Sequence, residues 1–146
     1  MLIGEYQHSL DNKGRVTVPV KFREDLGEHF VVTKGFDQCL YVYSMEEWER
    51  FSDKLKKLPL SNPDAREIVR FFTARACDCE LDKQGRMLIQ NGLREYGDLV
   101  KDVVFVGTIT RAEIWDRAKY EEKVNTAADP DEMSARLEAK MAEFDL

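Results

Sequence analysis

The chain has 146 residues, 43% of them hydrophobic and 34% charged, with a formal net charge of -6. That size allows one compact domain or two very small modules sharing a core, and the composition excludes a disordered tail. No apolar run approaches the roughly 20 residues that span a bilayer, and Met1-Leu2-Ile3-Gly4-Glu5 has no basic region or long apolar segment, so no signal peptide and a cytoplasmic address are expected.

Residues 2–10 alternate loosely and suit a first strand. Asp11-Asn12-Lys13-Gly14 then reads as a type I turn closed by a left-handed glycine. Asp at its first position can accept a hydrogen bond from the backbone two residues on, and Gly14 can take positive φ. Val16-Thr17-Val18 is β-branched throughout, and Pro19 ends that strand and opens a short helix stopped by Gly27. A strand pair over 30–33 and 39–43 follows. Ser44 and Glu47 form a capping box for a helix over 45–58, whose Met45, Trp48, Phe51, Leu55 and Leu58 recur at helical spacing. Asn62 and Pro63 start another helix, with Ala65, Ile68, Val69 and Phe72 on its inner side. Strands are expected over 75–81 and 87–89, a short helix over 93–96, strands over 103–106 and 112–115, and a helix near 119–124. Asp129 and Pro130 cap a last helix carrying Met133, Leu137, Met141 and Phe144. That amphipathic row suits packing within the chain or against a neighbouring subunit.

The second half repeats the first. Asp82-Lys83-Gln84-Gly85-Arg86 stands seventy-one residues after Asp11-Asn12-Lys13-Gly14-Arg15. Leu10 answers Leu81, Val16-Thr17-Val18 answers Met87-Leu88-Ile89, and Phe22-Arg23-Glu24 answers Leu93-Arg94-Glu95. Further on, Gly107 aligns with Gly35 and Ile114-Trp115 with Val42-Tyr43, one residue having entered before Val103. Each half holds about four short strands and a small helix, too little to bury a core alone. Two such halves facing each other can close a shared β-barrel with pseudo-twofold symmetry.

The exposed loops are the candidate sites. Asp11, Gly14, Asp82 and Gly85 are turn chemistry. Lys13, Arg15, Lys83 and Arg86 are not required by a tight turn. Arg15 could pair with Asp11 across the loop, although an exposed pair of that kind contributes only about 0–1 kcal/mol. The same side chains can contact phosphates, and Arg can grip a guanine edge bidentately. Asn12 and Gln84 at the apices can read base edges or hold backbone. Lys21, Arg23 and Arg94 either widen the positive surface or are solvated helix residues. Residues 118–146 hold eight acids and four bases, so much of the negative charge lies outside the loops. Few cations per chain imply weak, salt-dependent binding by a monomer and useful affinity only from many copies.

Other chemistries find less support. Three cysteines, with Cys77 and Cys79 on one strand face, read as reduced, packed thiols. His8 and His29 are not in zinc-like spacing, so neither a metal nor another cofactor is expected. Asp and Arg in a polar loop could serve as a general base and an anion clamp. The chain nevertheless lacks a catalytic triad pattern, a phosphate-binding glycine loop and a metal cluster, and no enzyme is expected. His8 breaks the repeat near the first loop, as a catalytic or an incidental histidine would.

The residues from Gly4 to Arg15, then Pro19 to Glu24, Leu81 to Arg86 and Leu93-Arg94-Glu95-Tyr96 resemble the bacterial MraZ proteins over about residues 1–124. The resemblance places the chain among the AbrB-like (SpoVT-AbrB) transcription regulators. It implies an α+β fold with a mainly β core, in which tandem swapped-hairpin modules form one pseudo-twofold barrel with flanking helices. The expected division is a first module at 1–52, a helical linker at 53–74, a second module at 75–124 and a C-terminal amphipathic helix at 125–146. It further implies a cytoplasmic, nucleoid-associated regulator, expected to repress, that binds short direct repeats in the promoter of a cell-division and cell-wall gene cluster. Double-stranded DNA and a ring of about eight or more copies are the implied partners, with no membrane and no small-molecule substrate. The family's DNA-contacting role falls on Arg15 and Arg86, with Lys13 and Lys83 beside them. An antitoxin-like module binding DNA and a protein partner is the alternative. One departure is Gln90, where the family usually has Pro, and a looser start to the second short helix is expected from it.

Overall fold

The computed structural model describes residues 1–124 and 129–146, so the start of the expected C-terminal segment at 125 lies outside the described residues. The fold is α+β with a mainly β core. Strand β1 (Leu2–Ser9) leads through the first tip to β2 (Arg15–Thr17) and helix α1 (Val20–Leu26). Strands β3 (His29–Lys34) and β4 (Leu40–Ser44) form a hairpin, followed by α2 (Met45–Lys56) and α3 (Pro63–Thr73). The second half runs β5 (Cys77–Glu80), tip, β6 (Arg86–Leu88), α4 (Asn91–Tyr96), β7 (Asp102–Ile109), β8 (Ala112–Asp116) and α5 (Arg117–Val124). Helix α6 (Pro130–Glu143) comes last.

Six strands form one antiparallel sheet in the order β1-β7-β8-β4-β3-β5, while β2 and β6 form a separate antiparallel ribbon. The order reads as a palindrome once the halves are matched. The first strand of each half pairs with the third strand of the other, β1 with β7 and β5 with β3. The halves meet at β4 against β8, with Tyr41 opposite Glu113. Neither half has a complete sheet of its own.

Register corrects one detail of the repeat. Phe30 lies opposite Cys79, and Val103 lies opposite His8, so β7 is shifted one position further than the aligned glycines suggest. Two residues have entered before β7, and the hairpin after it is one residue shorter. Gly35 and Cys39 close the first hairpin, Thr108 and Arg111 the second. Gly107 is therefore not the counterpart of Gly35. It stands opposite Gly4, where a Cβ would lie 2.6 Å from the Cα of Ile3.

Alternation along β4 divides the interior in two. Leu40 and Val42 face the main core with Val16, Phe22, Phe30, Met87, Leu93, Phe105 and Ile114. Tyr41 and Tyr43 face the other way, against α2 and α3. There Phe51 stacks on Tyr43 with centroids 5.3 Å apart and meets Phe72 edge-on at 4.9 Å. Ser44 Oγ accepts from the Glu47 amide and Asn62 Oδ1 from the Asp64 amide, so both helices begin at their expected caps. Ile68 does not join this packing and is exposed.

Two expectations about helices change. Gln90 does not loosen α4: its backbone (φ -60°, ψ 149°) nearly matches that of Pro19 before α1 (φ -50°, ψ 133°). Packing of Leu93, 1% exposed, holds the start without the ring. On α6, Leu137, Met141 and Phe144 are exposed rather than packed within the chain.

Candidate nucleic-acid interface

Both tips are built the same way by their aspartates. Asp11 Oδ1 accepts from the amides of Lys13 and Arg15, each at 2.9 Å, and the Arg15 carbonyl accepts from the Asp11 amide. Asp82 Oδ1 accepts from the amides of Gln84 and Arg86, also at 2.9 Å, with the same closing bond. These donors favour the ionised carboxylate. The Arg15 amide is the main cause that lowers the pKa of Asp11, and the Arg86 amide does the same for Asp82. Gly14 and Gly85 complete the turns at φ 83° and 74°, a region L side chains enter only with strain.

The ribbon brings the two tips together. Val16 lies opposite Met87, Arg15 opposite Leu88 and Thr17 opposite Arg86. Val16 and Met87 are each 1% exposed and point into the core. Alternation then sends Arg15, Thr17, Arg86 and Leu88 to the outer face together. Asn12, Lys13, Lys83 and Gln84 are exposed at the apices, while Arg15 and Arg86 are half-buried at the roots. Arg86 Nε donates to Asp82 Oδ2 at 2.9 Å, and its Nη1 is 3.8 Å from Asp11 Oδ2 of the other tip. Among the described residues, the guanidinium of Arg15 makes no hydrogen bond or ion pair.

Helix arginines complete the surface in a way the linear sequence left open. Arg23 and Arg94 are half-buried, not solvated. Arg23 borders a groove with Asp82, Lys83 and Gly85, and Arg94 borders one with Asp11 and Asn91. Each thus reaches the tip of the opposite half. Their shared repeat spacing with Arg15 and Arg86 was the available signal. Leu88, exposed beside Arg15, had no such signal.

His8 lies on β1 with its ring edge-on to Phe105, and burial, then the charge of Arg23, lowers its pKa. That is the chemistry of a packed strand histidine. Cys39 and Cys79 are buried, Cys77 partly so, and all three are unpaired thiols. Burial pushes the pKa of Cys79 up to about 12, which makes a thiolate scarce. Among the described residues, no group of three His, Cys, Asp or Glu could hold a metal ion, and no helix is long and apolar enough to cross a membrane.

The doubled tip and the exchanged strands describe two copies of one unit, and the known families agree. The family model described as "MraZ protein, putative antitoxin-like" matches this chain twice, over residues 1–71 and 72–141. The chain belongs to the MraZ family. It is 53% identical over 144 residues to the "Transcriptional regulator MraZ" of Caldicellulosiruptor saccharolyticus, covering 99% of each chain. Against the MraZ regulator of Caldanaerobacter subterraneus it is 57% identical over 122 residues, 84% of this chain and 85% of the relative. Against that of Clostridium botulinum it is 59% identical over 120 residues, 82% and 84%. The MraZ likeness thus includes both tips and both short helices.

Proposed function

We propose that this MraZ-family chain is a DNA-binding transcription regulator whose two tips form one contact surface. The observation that carries the reading is the β2–β6 ribbon. It turns Arg15 and Arg86 to one outer face, with Lys13, Lys83, Asn12 and Gln84 projecting beyond them. Arg15 and Arg86 supply the main phosphate or guanine contacts, Lys13 and Lys83 add phosphate contacts, and Asn12 and Gln84 reach base edges or backbone. Asp11, Gly14, Asp82 and Gly85 shape the loops that present them. We assign this role to modules at 1–52 and 75–124 around the linker 53–74, with 125–146 outside the contact surface.

Two tips on a chain of net charge -6 make a weak single site. The MraZ membership supports a cytoplasmic, nucleoid-associated repressor acting on direct repeats ahead of a cell-division and cell-wall gene cluster. A ring of about eight or more copies supplies the multivalency that such contacts need. No catalytic step is part of this reading. A second reading, DNA binding coupled to a protein partner, draws support from the exposed Leu137, Met141 and Phe144 of α6.

The test is a gel-shift and anisotropy titration against the region upstream of its own gene, over a salt series, with light scattering for the assembly. Replacing both Arg15 and Arg86 by Ala should abolish specific binding and leave the oligomer intact. Unchanged affinity in that variant would sink the proposal. Shortening the duplex from several repeats to one should weaken binding far more than in proportion, and equal affinities would remove the multivalent part.

A further inference from the structure

We infer that Arg23 and Arg94 are positioning residues that hold the tips crosswise, each bracing the tip of the opposite half. The inference rests on the tips being the DNA-contacting surface, but the bracing itself does not. A Cβ built on Gly14 would collide with Nη1 of Arg94 and stand 2.7 Å from its Cζ. A Cβ on Gly85 would collide with the guanidinium of Arg23, 2.6 Å from Nη2. Both glycines are buried although they sit in exposed loops. The cover over each is a guanidinium lying where a Cβ at the glycine would stand.

The exchange of strands delivers these arginines. The Ile89 amide donates to the Gly14 carbonyl at 2.9 Å, and α4, which carries Arg94, starts two residues later. The Val18 amide donates to the Gly85 carbonyl at 3.0 Å, and α1, which carries Arg23, starts two residues later. Each tip is therefore tied to the other half at its glycine, once by a backbone bond and once by an arginine plane. Arg23 is further fixed by its Nε, which donates to the Val18 carbonyl at 2.9 Å. For Arg94 the hydrogen bond is longer, 3.5 Å from Nη2 to Asn91 Oδ1. Recognition needs its contact groups held within about 0.5 Å by side chains that are themselves locked, and these two arginines are placed to do that.

Two measurements on the full chain test this. Hydrogen exchange by mass spectrometry, without DNA, should show faster exchange at the tip amides of residues 11–15, which bond within that tip, in Arg94→Gln, with those of 82–86 unchanged. Arg23→Gln should show the reverse. Faster exchange at the tip of the variant's own half, at both tips alike, or at neither would overturn the crosswise brace. The second measurement is an anisotropy titration with a labelled duplex of the region upstream of the chain's own gene. Arg94→Gln should weaken binding by about tenfold in an Arg86→Ala background and by less than about twofold in an Arg15→Ala background, because it acts through the first tip. Equal losses in the two backgrounds would mean general destabilisation and overturn the inference. Arg94→Lys keeps the charge without the plane, so it should rescue neither readout. Full rescue would make the charge, not the brace, responsible. If the Arg15 and Arg86 double variant keeps its DNA affinity, the DNA reading fails while the exchange pattern still decides the brace.

Discussion

Arg86 donates from Nε to Asp82 and lies 3.8 Å from Asp11, whereas Arg15, in the matching place on the first tip, has neither contact among the described residues. The helix arginines differ the opposite way round. Arg23, over the second tip, is anchored to the Val18 carbonyl at 2.9 Å, while Arg94, over the first, makes a longer 3.5 Å bond to Asn91. The second tip is therefore the more fully tied of the two, and the first is the looser. Near-identical turns can thus differ in how freely they offer an arginine, because the difference lies in what other segments bring to them.

Single substitutions should separate the tips. The largest effect is expected on DNA affinity. Arg15→Ala should weaken binding to the upstream duplex by about tenfold or more. Arg86→Ala should cost a few-fold less, since Arg86 must leave Asp82 before it can contact DNA. Equal losses by anisotropy at matched salt would show that the ion pair at Asp82 does not restrain Arg86.

Next comes stability. Ala at either tip glycine forces an L residue to positive φ, worth about 1–2 kcal/mol, and displaces a guanidinium. Gly85→Ala must also break the Arg23 bond to Val18, about 1 kcal/mol more. Thermal unfolding should therefore give a lower Tm for Gly85→Ala than for Gly14→Ala. The reverse order would contradict the tighter second tip.

The smallest effect concerns pH. His8 on β1 is matched on β5 by Cys79. The pKa of His8 is lowered from its ordinary 6.5, chiefly by burial, so the folded chain favours the neutral ring. The unfolded chain takes up that proton first, so the contribution is complete above about 6.5 and is lost as pH falls through that value towards the lower folded pKa. A small fall in Tm is expected between about pH 7.5 and 5.5, and His8→Gln should remove part of it. Cys79, with a pKa of about 12, adds nothing in that window. A pH profile unaffected by His8→Gln would place the titration elsewhere.

The two turns of the candidate site were legible because turn chemistry is local. Asp11 and Gly14 act within five residues, and so do Asp82 and Gly85. The turns they close could be read from spacing alone, as could the caps at Ser44 and Asn62. The role of Arg23 and Arg94 was not, since no local pattern says that a helix residue of one half will lie on a glycine of the other. The Gln90 substitution misled in the same way. Proline favours a helix start through its own φ, but buried Leu93 held the same start without it.

What the sequence by itself determined was the unit: a strand, an Asp-x-x-Gly-Arg turn, a second strand, a short helix and a hairpin, written twice. These follow from hydrogen bonds and side-chain periods that reach only a few residues along the chain. Only the tertiary structure decided the partners: β1 with β7, β5 with β3, β2 with β6, and each helix arginine with the far tip. Alternation shows which face of a strand is buried but not which strand will cover its edge. That choice comes from burying both halves in one core, where Val16 and Met87 lie opposite each other on the two short strands that form the ribbon. The same closure turns two separate basic loops into one surface.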